Sequence, residues 1–163
     1  MGDLIAGLVA LFLLFVALVL VAALRRYQLG RSAALQREAS LGRRVIAELP
    51  VGTDLVLFSE GDSHFHYGEL QIAKTSIQAV RVLINGTPIA AYVSRRFPAA
   101  ERSQGTSFED RPEGIARDRW DVALETTAGT TLVECGAIRE RVSQELGRNI
   151  YAAVRRDMEE RDR

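Results

Sequence analysis

His64 and His66 are the only histidines in the chain. Side chains alternate along an extended strand, so a spacing of two puts both imidazoles on one face. Two imidazoles so placed could begin a metal site, and Asp62 or Glu69 is close enough in sequence to supply a third donor. Both histidines also border a turn, and the expectation is that they are ordinary surface or half-buried residues with no metal between them. Cys135 is the only cysteine; it cannot form an internal disulfide, which is compatible with a reducing compartment. Next to Gly136 and ahead of a helical stretch, its thiol has the setting of a nucleophile whose pKa falls near a helix N-terminus. The competing expectation, which we favour, is a small apolar residue ending a strand. Glu125 and Glu134 project outward from the strands described below and need no catalytic role. The sequence contains no glycine-rich phosphate loop, nucleophile elbow, zinc-type cysteine spacing or helical histidine pair. The expectation is therefore a non-enzymatic protein with no catalytic residue, no cofactor and no metal site.

The strongest single feature lies at the N-terminus. Residues 4–24 are drawn only from Leu, Ile, Val, Ala, Phe and Gly, and a helix of that length covers the roughly 30 Å of a bilayer's hydrocarbon layer. Met1, Gly2 and Asp3 precede it without the basic residues of a cleaved signal peptide, so it reads as a retained transmembrane anchor. Arg25, Arg26, Arg31, Arg37, Arg43 and Arg44 follow against a single Glu38, and such clusters remain on the cytoplasmic side. The N-terminus is thus expected outside and the rest of the chain in the cytosol. The basic residues comprise 20 Arg and one Lys, a bias that suggests a GC-rich bacterial genome and hence a bacterial inner membrane. Tyr27 falls where an interfacial aromatic belongs, and Gly2 begins no myristoylation signal because Ala occupies position 6. Ala6, Gly7 and Ala10 form a small-residue face on which a partner helix can approach closely. The basic cluster beginning at Arg25 and Arg26 is expected to meet anionic lipid headgroups.

Behind the anchor there is material for one small domain. From 45 to 163 the sequence holds 15 Lys and Arg against 19 Asp and Glu, and an acidic domain does not concentrate phosphate backbones, so nucleic acid is not an expected partner. The expected divisions are an anchor at 1–24, a basic helical connector at 25–49, an α+β domain at 50–160 and a tail at 161–163. Leu35, Ala39, Leu41, Val45, Ile46 and Leu49 fall loosely on one helical face of the connector. Residues 54–58 read as a buried strand, 60–63 as a turn, and 64–72 as an imperfectly alternating stretch. The spacing over 70–84 also fits a helix, but the β-branched residues of 77–84 favour strands, and Asn85-Gly86 is a strong hairpin signal. The long segment 95–119, with two prolines and charges of both signs, is expected to be either disordered or a solvated excursion, or else a docking loop, with Phe97 and Phe108 among its few large apolar residues. Residues 120–124 alternate, a second hairpin turns at Ala128-Gly129, and a helix follows over about 137–160. In that helix Ile138, Val142, Leu146, Ile150 and Val154 recur every four residues, so the apolar stripe drifts by about 40° per step. Its far end, with Ile150, Tyr151 and Val154, is expected to look partly away from the sheet, towards the connector helix or a partner protein, and residues 155–163 to fray.

The runs Leu55-Val56-Leu57-Phe58, Leu70-Gln71-Ile72 and Ile77-Gln78-Ala79-Val80, the strand 120–124 and the helix 138–154 occur in an order that resembles the pleckstrin-homology-like domains of bacterial membrane proteins. The resemblance implies a small antiparallel β-barrel or sandwich closed by a C-terminal helix. Phosphoinositide-binding members use basic residues in the first hairpin loop; the loop taken to correspond here, Glu60-Gly61-Asp62-Ser63, is acidic, so the resemblance implies protein binding instead. The expected role is an accessory or structural subunit of a larger inner-membrane complex, of a photosynthetic, respiratory or secretion kind, with integral-membrane protein partners. The alternative is a free membrane-tethered module that binds a lipid, small molecule or signalling protein.

Overall fold

A computed structural model describes residues 2–52, 54–97, 119–137 and 140–163. The chain divides into two compact units, Met1–Leu41 and Gly42–Arg163. The first is a single helix, α1 (Gly2–Ser40), which takes the expected apolar segment and most of the basic connector into one continuous rod. By length and composition it is able to cross a membrane, and none of its apolar window is buried.

The second unit is α+β: two antiparallel four-stranded sheets and a C-terminal helix. The first sheet runs in sequence order, β1 (Arg44–Val51), β2 (Asp54–Glu60), β3 (His64–Tyr67) and β4 (Leu70–Ala73). A 3-10 turn at Lys74–Ser76 leads to the second sheet, formed by β5 (Ile77–Ile84), β6 (Thr87–Val93), β7 (Arg119–Thr126) and β8 (Gly129–Ala137) in the order β6-β5-β7-β8. Helix α2 (Arg141–Arg161) follows.

Several details differ from the sequence expectation. The connector is not helical to residue 49: α1 ends at Ser40, and Gly42, at φ 69°, takes the left-handed conformation that commonly stops a helix. Val45, Ile46 and Leu49 then belong to β1, where Ala47 and Leu49 are buried with period two. Their apolar spacing had suited either period. The stretch 64–72 is a hairpin, with Tyr67 paired to Leu70 across Gly68 and Glu69. Since β1 and β2 already form a hairpin between Val51 and Asp54, the acidic loop at 60–63 is the second hairpin loop, not the first. The hairpin at Asn85-Gly86 stands as expected, with φ of 51° and 75°. That of β7 and β8 closes one residue earlier, since Thr126 pairs with Gly129.

The core lies between the sheets and α2. Phe58 and Phe65 are fully buried, with ring centroids 5.7 Å apart and planes 20° from parallel. Leu49, Ile77, Val122 and Leu124 extend that core. Ile150, Val154 and Met158 of α2, all fully buried, complete it from the helix side. Ile150 and Val154 are thus core residues, not the surface expected to look away from the sheet towards the connector or a partner. The inward stripe of α2 is Ser143, Gly147, Ile150, Val154 and Met158, a spacing close to 3.6 that does not drift off the sheet, whereas the four-residue series leaves Val142 63% exposed. Ser143 packs on Gly136, which sits at φ 107°, and a Cβ added there would fall 2.7 Å from Ser143 Oγ.

Candidate functional site

Among the described residues, the densest charge arrangement is centred on Glu60, at the end of β2. One carboxylate oxygen accepts from the guanidinium of Arg44 in β1 and lies 3.4 Å from Nη2 of Arg156 in α2. The other accepts from Lys74 Nζ at 3.1 Å. Lys74 also lies 3.3 Å from Asp157 Oδ1, and Asp157 in turn binds Arg161 Nε at 2.9 Å. The Lys74 ammonium stands 5.0 Å from the centre of the Phe65 ring, where the aromatic face favours a cation. Burial on its own would raise the pKa of Glu60, but the hydrogen bonds and charges of Arg44 and Lys74 outweigh it and hold the carboxyl below its usual value. The network therefore has an inner pair, Glu60 and Lys74, with side chains 15% and 12% exposed, and an outer pair of arginines, Arg44 and Arg156, 58% and 51% exposed.

Beside those arginines runs an open groove of about 440 Å³ between β1 and α2. Arg44, Val45 and Ile46 line it from the strand, and Asn149, Ala152, Ala153 and Arg156 from the helix. The register of β1 against β2 shifts between Val45 and Ala47, so the strand is irregular where it meets the groove, and such bulges re-aim side chains. Val45 and Ile46 are both half-buried there, giving the groove an apolar floor.

A second cluster joins β7 and β8. Arg119 Nε lies 2.7 Å from Asp121 Oδ1 and Arg119 Nη1 lies 3.0 Å from Glu134 Oε1. Asp121 is only 5% exposed. Burial raises its pKa, opposed by Arg119; the Arg119–Asp121 pair lies within β7, and the contact of Arg119 with Glu134 joins β7 to β8. Glu125 pairs with Arg81 Nε at 2.6 Å across β5 and β7, so it is also engaged and not freely solvated.

The residues singled out from sequence are scattered. His64 and His66 do sit side by side, with ring centroids 6.2 Å apart, and Ser63 Oγ lies 2.8 Å from His64 Nδ1. Among the described residues no group of three or more His, Cys, Asp or Glu is arranged to hold a metal. Cys135 is fully buried in β8, and burial pushes its thiol up to about 12. A thiol so placed is almost entirely protonated and shielded. The expected result is that a maleimide or iodoacetamide label fails to modify Cys135 at about pH 8 in the folded protein and reacts fully once the domain is unfolded. Mass spectrometry of both samples checks this.

Gly7 and Ala10 lie on the exposed apolar part of α1, and Arg25 and Arg26 on its exposed basic part. Phe97 is half-buried just after β6, and Tyr151 is half-buried against the core. The side chain of Ala6 and all of Phe108 fall outside the described residues. Sequence reasoning missed the Glu60 network. Glu60 had been read as a turn residue, and the signal available was Lys74 itself, the one lysine among 21 basic residues. Its slender ammonium fits between Glu60 and Asp157 under an aromatic ring, a place that suits a compact point charge better than a planar guanidinium. Comparison of the chain with protein-family models, with characterised proteins and with solved structures found no match.

Proposed function

We propose that the chain is a single-pass membrane protein whose domain binds other proteins, acting as a non-enzymatic accessory subunit of a membrane assembly in the bacterial inner membrane. The observation that carries this reading is the apolar surface of α1. Leu8, Phe12, Leu18 and Leu20 are each at least 60% exposed, and large apolar side chains cover every side of the helix. A helix that is apolar all round needs lipid or other helices against it. From Arg25 the helix continues to Ser40, about 24 Å of further rise at 1.5 Å per residue, and the arginines on it favour the cytosolic side. The order of two antiparallel sheets followed by a packed C-terminal helix supports a pleckstrin-homology-like domain. Its chemistry supports binding over catalysis: the carboxylates of Glu60, Glu125 and Asp157 are each held in ion pairs, and Cys135 is held in its unreactive form. Confinement to the plane of a membrane raises the effective concentration of partners, so a modest contact surface on the domain suffices.

The test is extraction of the C-terminally tagged full chain from its native membrane into nanodiscs, followed by size analysis and mass spectrometry. Stoichiometric integral-membrane proteins are the expected companions. Elution at the mass of the chain and its lipid alone would sink the accessory-subunit reading. Recovery in the soluble fraction without detergent would sink the membrane reading itself.

A further inference from the structure

We propose that the groove between β1 and α2 is the docking site for a short acidic segment of a partner protein, in which carboxylates engage Arg44 and Arg156 while an adjoining apolar side chain lies on Val45 and Ile46. This rests on the protein-binding reading above and names the site and the chemistry that would carry it. The argument is one of charge complementarity. The sequence from 45 onward is net acidic, 15 Lys and Arg against 19 Asp and Glu. The lining of the groove differs: it carries two arginines, Arg44 and Arg156, and no acidic side chain, and the carboxylate that meets both is Glu60.

The two outer guanidiniums share a single carboxylate oxygen of Glu60 and are each about half exposed. Glu60 therefore already occupies the place of an incoming carboxylate, and it can give up that place without being stranded, because Lys74 holds its other oxygen at 3.1 Å. Each guanidinium presents five N–H donors in a planar fork suited to a carboxylate, more than one shared oxygen can accept. The groove, about 440 Å³, is the size of a small-ligand site and holds only a few residues of an extended chain. A contact of that size is weak in solution and becomes effective between partners held in one membrane. A lipid headgroup would satisfy the arginines but would leave the apolar floor without a function, and this favours a peptide.

The experiment uses the full chain in nanodiscs of phosphatidylcholine. An environment-sensitive dye is placed at Arg148→Cys, an exposed position one turn before Ala152, and Cys135 is buried and stays unlabelled. The probe is a synthetic hexapeptide of alternating Leu and Glu, with the Leu/Gln and Leu/Lys versions as controls. Saturable binding of the Leu/Glu peptide is expected, weaker by about tenfold for the Leu/Gln version, the loss of charge-assisted hydrogen bonds. Glu60→Gln removes the competing carboxylate and is expected to tighten binding severalfold, whereas the Arg44→Gln, Arg156→Gln double variant loses it. Because that variant disturbs the ion network, Ala152→Trp serves as a second block: it fills the groove from an exposed helix position and leaves every ion pair in place. Equal affinity for the Glu and Gln peptides overturns the proposal, and so does undiminished binding to Ala152→Trp. A dye response to nanodiscs containing phosphatidylglycerol that the Leu/Glu peptide does not reverse also overturns it, in favour of a headgroup site. If the peptide fails while the extracted chain still carries stoichiometric partners, the groove is wrong and the accessory-subunit reading survives; if both fail, the reading falls with it.

Discussion

Phe58→Ala is expected to remove about 3–5 kcal/mol of stability from the domain, a large part of the 5–15 kcal/mol that holds a typical domain together. Phe58 in β2 and Phe65 in β3 are both fully buried and their rings stack at 5.7 Å. Removing one ring opens a cavity against the other, and neighbouring strands held by ladder hydrogen bonds relax into it only in part. Lys74 sits over the Phe65 ring, so the loss also loosens the support of the Glu60 network. Phe58→Leu, which keeps most of the volume, is expected to cost less than about 1.5 kcal/mol. The measurement is urea unfolding of the full chain in mild detergent, followed by the fluorescence of Trp120, the only tryptophan, which packs against the same core. A loss below about 1 kcal/mol for Phe58→Ala would mean that the stacked pair is not the centre of the core.

Those two phenylalanines show how far sequence reading reached and where it stopped. Phe58 ended an apolar run with an unambiguous strand pattern. Phe65 lay between two histidines in a four-residue strand too short to display a period. The strands with strong local signals, 77–84 ahead of Asn85-Gly86 and 120–124, fell close to where the structure has them, because turn chemistry and alternation are written within a few neighbouring residues. The connector failed because Val45, Ile46 and Leu49 satisfy both periods, and what decides between them is pairing with Val56 to Ser59 in β2, a contact that no local window contains. The far end of α2 failed for a related reason. The four-residue apolar series drew attention away from Ser143 and Gly147, small residues that mark the buried face by allowing close approach rather than by being large and apolar. Gly147 illustrates this, since a Cβ there would already touch Cys135 Sγ at 3.8 Å. The candidate groove was still less legible. Its parts come from residues 44–46 and 149–156, and Glu60 brings Arg44 and Arg156 to one point from 16 and 96 residues away.

The C-terminal end of α2 supplies the second large effect, in a segment whose charged composition had suggested fraying. Asp162 instead ties the helix to the end of β6. Its Oδ1 accepts from Ser94 Oγ at 2.7 Å, and its Oδ2 accepts from the Arg95 backbone N–H at 3.0 Å and from Tyr92 Oη at 3.1 Å. Arg96 adds its charge at 3.8 Å and donates to the Arg161 carbonyl. Burial acts to raise the Asp162 pKa, but the donors from Ser94, Arg95 and Tyr92 and the charge of Arg96 outweigh it and hold the carboxyl below its ordinary value. Ser94 is 1% exposed, so removing its acceptor leaves a buried hydroxyl without that partner, and Asp162→Ala is expected to cost about 2–3 kcal/mol. Asp162→Asn, which keeps one oxygen acceptor and loses the charge, should cost about half as much. The sign of the pH dependence follows from the depressed pKa. The stabilisation is complete above the unfolded-state value and is lost as pH falls through the lower folded-state value, because protonation removes the charge and turns one of the two acceptor oxygens into a hydroxyl. The stability gap between wild type and Asp162→Asn should therefore stay constant from neutral pH to about pH 5 and narrow only below about pH 4. Urea midpoints of both proteins across that range measure it, and taking the difference at each pH removes the acid sensitivity that other carboxylates such as Glu60 contribute equally to both. A gap that stayed unchanged at the acid end would show that shape, not charge, makes Asp162 the fastening of α2.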